Sequence, residues 1–179
     1  MKVILISGKA RHGKDTLAGM FKDYLEDEGY RVLIAHYGDL VKYVCEKFFD
    51  WDGNKDEAGR TLLQYVGTDI VRKQNEDFWA NFIKDILTMF SHEWDYVLIP
   101  DTRFVNEVEC FNGNFDSSLV RIYRPNYDSG LTPQQLSHPS ETALDDYKFD
   151  CYVVNDGGLQ DLRNKVPEIL KTIGGLNAG

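Results

Sequence analysis

Lys2-Val-Ile-Leu-Ile-Ser7-Gly8-Lys-Ala-Arg-His-Gly13-Lys14-Asp15-Thr16 decides how the rest of the chain is read. The apolar run from Lys2 to Ser7 predicts a buried strand. Gly8 to Gly13 predicts a glycine loop. From Lys14 the pattern turns helical, with Leu17, Met20, Phe21, Tyr24 and Leu25 at helix spacing and Gly29 closing the segment. The loop fits G-x-x-x-x-G-K in the strand-to-helix setting that this motif requires. Its glycines let backbone N–H groups converge on phosphate oxygens, the helix N-terminus adds its positive end, and Lys14 reaches the β/γ-phosphates. One position departs from the usual pattern. The residue after Lys14 is Asp15 where a Ser or Thr hydroxyl normally ligates Mg²⁺, and Thr16 follows. A carboxylate beside a triphosphate needs a cation between them. Asp15 therefore either holds Mg²⁺ through water or pairs with Arg11.

Outward from that loop, strands and helices alternate. Strands are predicted at 31–35, 96–99, 119–123 and 151–154, and helices near 39–48, 60–73, 75–90 and 159–173. Continuously apolar strands alternating with helices indicate a parallel sheet covered on both faces. In the 75–90 helix, Phe78, Trp79, Phe82, Ile83, Ile86, Leu87 and Phe90 share one side. Residues 125–146 hold Pro125, Gly130, Pro133 and Pro139 without a long apolar pattern, which predicts a mobile excursion and not a core element.

The chain has 179 residues, about one domain at roughly 150 residues per domain. It carries 20 Lys+Arg against 29 Asp+Glu, a net charge of −9. An acidic chain is poorly suited to nucleic-acid polymers or anionic membranes. No apolar run reaches the length of a membrane span. Cys45, Cys110 and Cys151 are far apart and odd in number, which excludes a disulfide framework or a Cys-rich zinc site and suits a reducing cytoplasm. The first sixteen residues hold four bases against one acid, +3 locally, in a chain whose other residues carry −12. That basic end marks an anion site.

Further candidates lie after the strands, where ligands sit in such sheets. Asp101 follows the third strand, placed to orient Mg²⁺ or an acceptor oxygen. Arg60, Gln64, Thr68 and Arg72 recur every four residues as a polar stripe with two arginines and no acid, while Leu63, Val66 and Ile70 face the core. Gln64 offers the paired donor and acceptor that reading a base edge requires. Gly67-Thr68 is a place where this helix could break. Arg124 opens the Pro/Gly excursion and is placed to close over a transferring phosphate. His138 and Glu141 stand three apart within it and read by themselves as a structural hydrogen-bonding turn, and Asn155-Asp-Gly-Gly158 reads as a turn.

Together, SGKARHGKDT at 7–16, LVK at 40–42, RTLLQYVGTDIVR at 60–72, DTRFVNE at 101–107, RP at 124–125, HPSE at 138–141 and NDG at 155–157 resemble the bacteriophage-type deoxynucleoside monophosphate kinases, a branch of the P-loop nucleoside monophosphate kinase superfamily. The resemblance implies an α/β, three-layer P-loop NTPase fold: a five-stranded parallel sheet with helices on both faces and a lid excursion, as one domain over 1–179. The monophosphate-binding helical region would span about 38–92 and the lid about 125–146. ATP would sit on Gly8, Arg11, Gly13, Lys14, Asp15 and Thr16, with its adenine near Asn155 and Gly157. The acceptor would be held by Lys42, Arg60, Gln64 and Arg72, with His138 and Glu141 contributed by the lid. Mg²⁺ would be held by Asp15, Thr16 and Asp101, in part through water. Lys14, Arg124 and Asp101 would carry catalysis, and Arg103 with Glu107 would form an internal ion pair. The implied reaction moves a phosphoryl group from ATP to the 5′-phosphate of a deoxynucleoside monophosphate, in a cytoplasm that is the infected host's if the gene is a phage's, by a monomer or homodimer. The contact to the sugar 2′ position would come from an aromatic near the site, such as Tyr37 or Trp79. Three alternatives stay open: a P-loop kinase of phosphomevalonate or dephospho-coenzyme A, an ATP-hydrolysing switch protein, and a degenerate nucleotide-binding module.

Overall fold

Five short apolar segments form one all-parallel sheet in the computed structural model, which describes residues 1–176. In chain order the strands are β1 (Lys2–Ser7), β2 (Val32–Ile34), β3 (Tyr96–Ile99), β4 (Asp116–Tyr123) and β5 (Cys151–Val154), arranged β2-β3-β1-β4-β5. β1 is central and pairs on one side with β3 (Leu5 opposite Ile99) and on the other with β4 (Ser7 opposite Arg121). The loops after β1 and β3 therefore emerge side by side.

Alternation along β1 builds two cores. Ile4 and Ile6 pack with Leu17, Phe21 and Leu25 of α1 (Lys14–Asp27) and with Leu162, Val166 and Leu170 of α8 (Leu159–Thr172). Val3 and Leu5 point the other way, into Ala80 and Leu87 of α4 (Phe78–Met89), Val108 of α5 (Val105–Glu109) and Phe111. This is the expected three-layer arrangement. Among the described residues no helix is long and apolar enough to cross a membrane.

On the 75–90 helix Trp79 is buried, while Phe78, Phe82 and Phe90 are exposed. Two expectations change. The 125–146 excursion is not core-free. It forms two single-turn helices, α6 (Pro133–Leu136) and α7 (Pro139–Thr142), and buries Leu144 against β1's second core. The 60–73 helix is two structures in series. α3 (Glu57–Gln64) follows α2 (Tyr37–Phe48) and runs into a π-helical segment, Tyr65–Arg72.

The π segment has a physical consequence. A four-residue step overshoots the 3.6-residue turn of an α-helix. In a π-helix, whose hydrogen bonds span five residues, the same step falls short of a turn, so the drift of a four-residue stripe reverses. Arg60, Gln64, Thr68 and Arg72 consequently all face one cleft. The indole of Trp79 donates to the Gly67 carbonyl at 2.9 Å, satisfying a backbone group inside the widened turn. Gly67 also lets α2 approach, since a Cβ there would meet Val41 Cγ1 at 3.2 Å.

Candidate functional site

A cleft of about 690 Å³ opens beyond the carboxyl ends of β1 and β3, within the size range of small-molecule sites. One wall is the loop after β1. Gly13 has φ +101°, and a Cβ on Gly8 would lie 2.4 Å from the Ile122 carbonyl oxygen, so both positions require glycine. α1 starts with no side-chain cap on its first N–H groups, which leaves them for an anion. Lys14 is buried and its Nζ folds back onto the carbonyls of Gly8 (2.7 Å) and Lys9 (3.0 Å). Burial, helped by the nearby Arg103 charge, lowers its pKa to about 8.

Asp15 does not pair with Arg11. Its carboxylate meets His36 Nε2 at 3.1 Å, while His36 Nδ1 lies 3.3 Å from Asp39. The mutual hydrogen bond is the main cause that lowers the Asp15 pKa and raises that of His36. Arg11 Nη1 instead donates to the Ser129 carbonyl at 2.8 Å. Thr16 is exposed beside Asp15.

Asp101 stands at the end of β3 as expected, and accepts from the backbone N–H groups of Tyr37 (3.1 Å) and Gly38 (2.9 Å). It thereby anchors the start of α2 beside the cleft. Burial raises its pKa, against the pull of those donors and of His36. Tyr37 lines the cleft, although it is largely buried and its hydroxyl donates to the Glu107 carbonyl at 2.7 Å. Trp79 is likewise buried with its N–H committed to Gly67.

The opposite wall carries the arginines. Arg72 pairs with buried Glu107 and lies 4.0 Å over the Phe104 ring. Glu107 also accepts from the backbone N–H groups of Arg103 (2.7 Å) and Phe104 (3.0 Å), closing the start of α5. Burial pushes its pKa up to about 7 despite Arg72. The expected Arg103–Glu107 ion pair is therefore not formed between side chains. The Arg103 guanidinium turns into the cleft and donates to Glu141 at 2.6 Å. Lys42 pairs with Asp39 at 2.7 Å, and Arg60 is exposed at the cleft.

The excursion closes the third side. Gln64 Nε2 and His138 Nε2 are 3.0 Å apart, which joins α3 to the turn before α7. Glu141 accepts from Ala10 N at 2.8 Å, and Asp145 holds both Lys9 (3.0 Å) and Arg121 (2.6 Å). Arg11, Lys42, Arg60, Gln64, Arg72, Asp101, His138 and Glu141 thus line one cleft. Arg124 does not line it. Its guanidinium stacks 4.0 Å from the Tyr127 ring, and its backbone N–H donates to His12 Nδ1 at 3.1 Å. Asn155 stands nearby with its amide donating to the His12 carbonyl at 3.0 Å. Gly157 has no room for a side chain, because a Cβ would lie 2.5 Å from Asp161 Oδ2. Sequence reasoning did not put Arg103 in the cleft, nor His36 against Asp15. The one signal for Arg103 was its place two residues past Asp101, in the loop that borders the phosphate loop.

Residues 39–166 match the deoxynucleotide monophosphate kinase family. The deoxynucleotide monophosphate kinase of Enterobacteria phage T4 is 29% identical over 167 residues, covering 90% of this chain and 63% of the phage protein. That of Escherichia phage RB69 is 26% identical over 165 residues, covering 88% and 65%. The chain thus spans a little under two thirds of the length of these phage relatives. Among solved structures, the APS kinase of Mycobacterium tuberculosis in complex with AMPPNP and APS superposes with a TM-score of 0.54 at 10% identity, over 95% of this chain and 97% of that one. At that identity the likeness is one of fold.

Proposed function

Because the chain belongs to the deoxynucleotide monophosphate kinase family, we propose that it transfers the γ-phosphoryl group of ATP to the 5′-phosphate of a deoxynucleoside monophosphate, giving the diphosphate and ADP. The observation that carries this reading is the layout of the cleft, with Ala10 and Arg11 of the phosphate loop along one wall and Arg60, Arg72 and Arg103 along the other. A phosphate on each side would meet end to end between them. The helices of 38–92 hold the acceptor and 125–146 forms the lid.

In this reading a phosphate oxygen of the acceptor attacks the γ-phosphorus in line, and the bond to the β-bridging oxygen breaks to release ADP. The acceptor oxygen is already anionic, so no general base is needed. Catalysis is positioning and charge neutralisation. Lys14 leaves its two carbonyls for the β/γ-phosphates, Arg103 faces the transferring group, and Arg60 and Arg72 hold the acceptor phosphate. Gln64 and His138 stand at the base. Arg124, stacked on Tyr127 beside His12 and Asn155, suits the flat face of the ATP base better than the transferring phosphate. Among the described residues no group of three or more His, Cys, Asp or Glu could hold a metal by itself. In this reading Asp15 and Thr16, exposed at the start of α1, and Asp101 through water would hold Mg²⁺, which takes one or two protein oxygens and completes its shell with water and substrate phosphate. Bound there, it would neutralise phosphate charge. The product would be made in the cytoplasm of the cell that expresses the gene, the host cell for a phage gene.

The test is ADP release from Mg·ATP with each of the four standard deoxynucleoside monophosphates, AMP, phosphomevalonate and no acceptor. Turnover that depends on a deoxynucleotide is the expected result. ADP release indifferent to acceptor would make the protein an ATPase, and turnover confined to phosphomevalonate would move it to another kinase class.

A further inference from the structure

Glu141 occupies an unusual place for an acid. Its side chain is only 5% exposed, and each carboxylate oxygen takes one donor from a different element. Oε2 accepts from the backbone N–H of Ala10, in the middle of the phosphate loop, at 2.8 Å. Oε1 accepts from Arg103 Nη1, in the loop after β3, at 2.6 Å. The acid itself belongs to α7, in the excursion. Three segments remote in sequence therefore meet at one carboxylate.

A carboxylate so close to a phosphate site repels the substrate unless its charge is matched. Here it is matched by Arg103. Guanidinium has five N–H donors in a rigid planar fork; here Nη1 is held by Glu141 Oε1 and, at 3.4 Å, by the Ser140 carbonyl, which restrains the plane of the group and leaves Nε and Nη2 for a ligand. The Ala10 bond fixes the height of the phosphate loop relative to that plane. The excursion is held to the same loop by Asp145 on Lys9 and by Arg11 on the Ser129 carbonyl. Glu141 is the acid of this set that reaches an arginine of the acceptor wall.

We propose that Glu141 is a positioning residue: it locks the lid to the phosphate loop and aims the Arg103 guanidinium at the group in transfer. The role rests on the kinase reading above and deepens it, because it sets the distance between donor and acceptor without touching either. It replaces direct substrate binding by Glu141, both of whose oxygens are already engaged.

The test compares wild type, Glu141→Gln, Arg103→Met and the double variant. It measures kcat, both KM values, binding of a non-hydrolysable ATP analogue by calorimetry, and thermal unfolding. Glu141→Gln keeps an oxygen for Ala10 N and loses the charge opposite Arg103. It should lower kcat about 10²-fold, the order reached by misplacing a reacting group by about 1 Å, with analogue affinity and both KM values within about threefold. The double variant should be no slower than Arg103→Met, because the two side chains act as one unit. An unchanged kcat in Glu141→Gln overturns the role. So do multiplicative losses in the double variant, or tighter analogue binding, which would mark the carboxylate as a filler of the empty loop. Should Glu141→Gln not fold, Arg103→Lys keeps the charge and loses the fork: a loss confined to kcat supports the role, and an unchanged kcat overturns it. A wild-type chain that transfers to no acceptor fails the kinase reading itself, whereas an active wild type with an unimpaired Glu141→Gln fails this role alone.

Discussion

The two walls of the cleft are made in opposite ways. The phosphate loop is one continuous stretch, and its binding groups are backbone N–H groups and Lys14, whose ammonium rests on two of the loop's own carbonyls. The acceptor wall draws on α2, α3, the π segment, the loop after β3 and the excursion, and two of its three arginines are held by acids: Arg72 by Glu107 and Arg103 by Glu141. One wall keeps its lysine on its own backbone, and the other has those two cations neutralised and aimed. Removing a cation from the first should therefore cost activity and little stability. Removing one from the second should cost both.

Lys14→Ala makes the largest expected break. Loss of a charge aimed at the transferring phosphate should reduce kcat/KM by at least about 10³-fold, with the melting temperature unchanged or raised, because burial penalises the Lys14 ammonium. Steady-state kinetics and a thermal melt check both halves. A melting temperature that falls with activity would mean that the loop is not ligand-reserved, and the contrast between the walls would collapse.

Arg72→Met attacks the other wall. It leaves a carboxylate of 3% side-chain exposure without its counter-charge. Breaking such a pair costs about 3 kcal/mol. The pH dependence follows from Glu107, whose pKa is about 7 when folded against an ordinary 4.5. The native state keeps a proton that the unfolded chain releases, so stability from this group falls as pH rises from 4.5 through 7. Without Arg72 the folded pKa rises further, so the deficit of Arg72→Met relative to wild type should be larger at pH 8 than at pH 5. Denaturant titrations at those two pH values measure it. A pH-independent deficit would show that packing on Phe104, and not the ion pair, holds Arg72.

This division also explains what could be read from the chain. Strand, glycines, Lys14 and helix lie within fifteen residues, so spacing alone placed them. β1, β3 and β5 are continuous apolar runs and were equally plain, whereas β4 begins earlier than its apolar stretch, at Asp116. The four-residue stripe was visible, but the π segment that aligns it was not. It depends on Trp79 reaching the Gly67 carbonyl and on Val41 packing against a residue without a Cβ. The Arg103–Glu107 pair is an expectation of the family resemblance. Glu107 is instead committed to Arg72, 35 residues away, which leaves Arg103 to Glu141, 38 residues away. The excursion looked mobile because its anchors, Glu141, Asp145 and Leu144, are single residues without a period.

Gln64→Leu makes the smallest and most specific break. Gln64 is exposed and its partner across the cleft is His138, so stability should change by no more than about 0.5 kcal/mol. Neither wall's charge is touched. If the Gln64 amide reads a base edge, a neutral hydrogen bond of about 1 kcal/mol is lost, and KM rises about fivefold for the deoxynucleotides whose edge it matched and hardly at all for the others. The ranking of kcat/KM across the four monophosphates should therefore flatten while the best kcat is kept. A uniform rise in all four KM values would assign Gln64 to holding the excursion through His138, and base choice would then have to come from other residues of the cleft. Either pattern locates specificity away from the phosphate loop. That follows from its construction, since a ring of backbone N–H groups recognises phosphate and has nothing with which to distinguish one acceptor base from another.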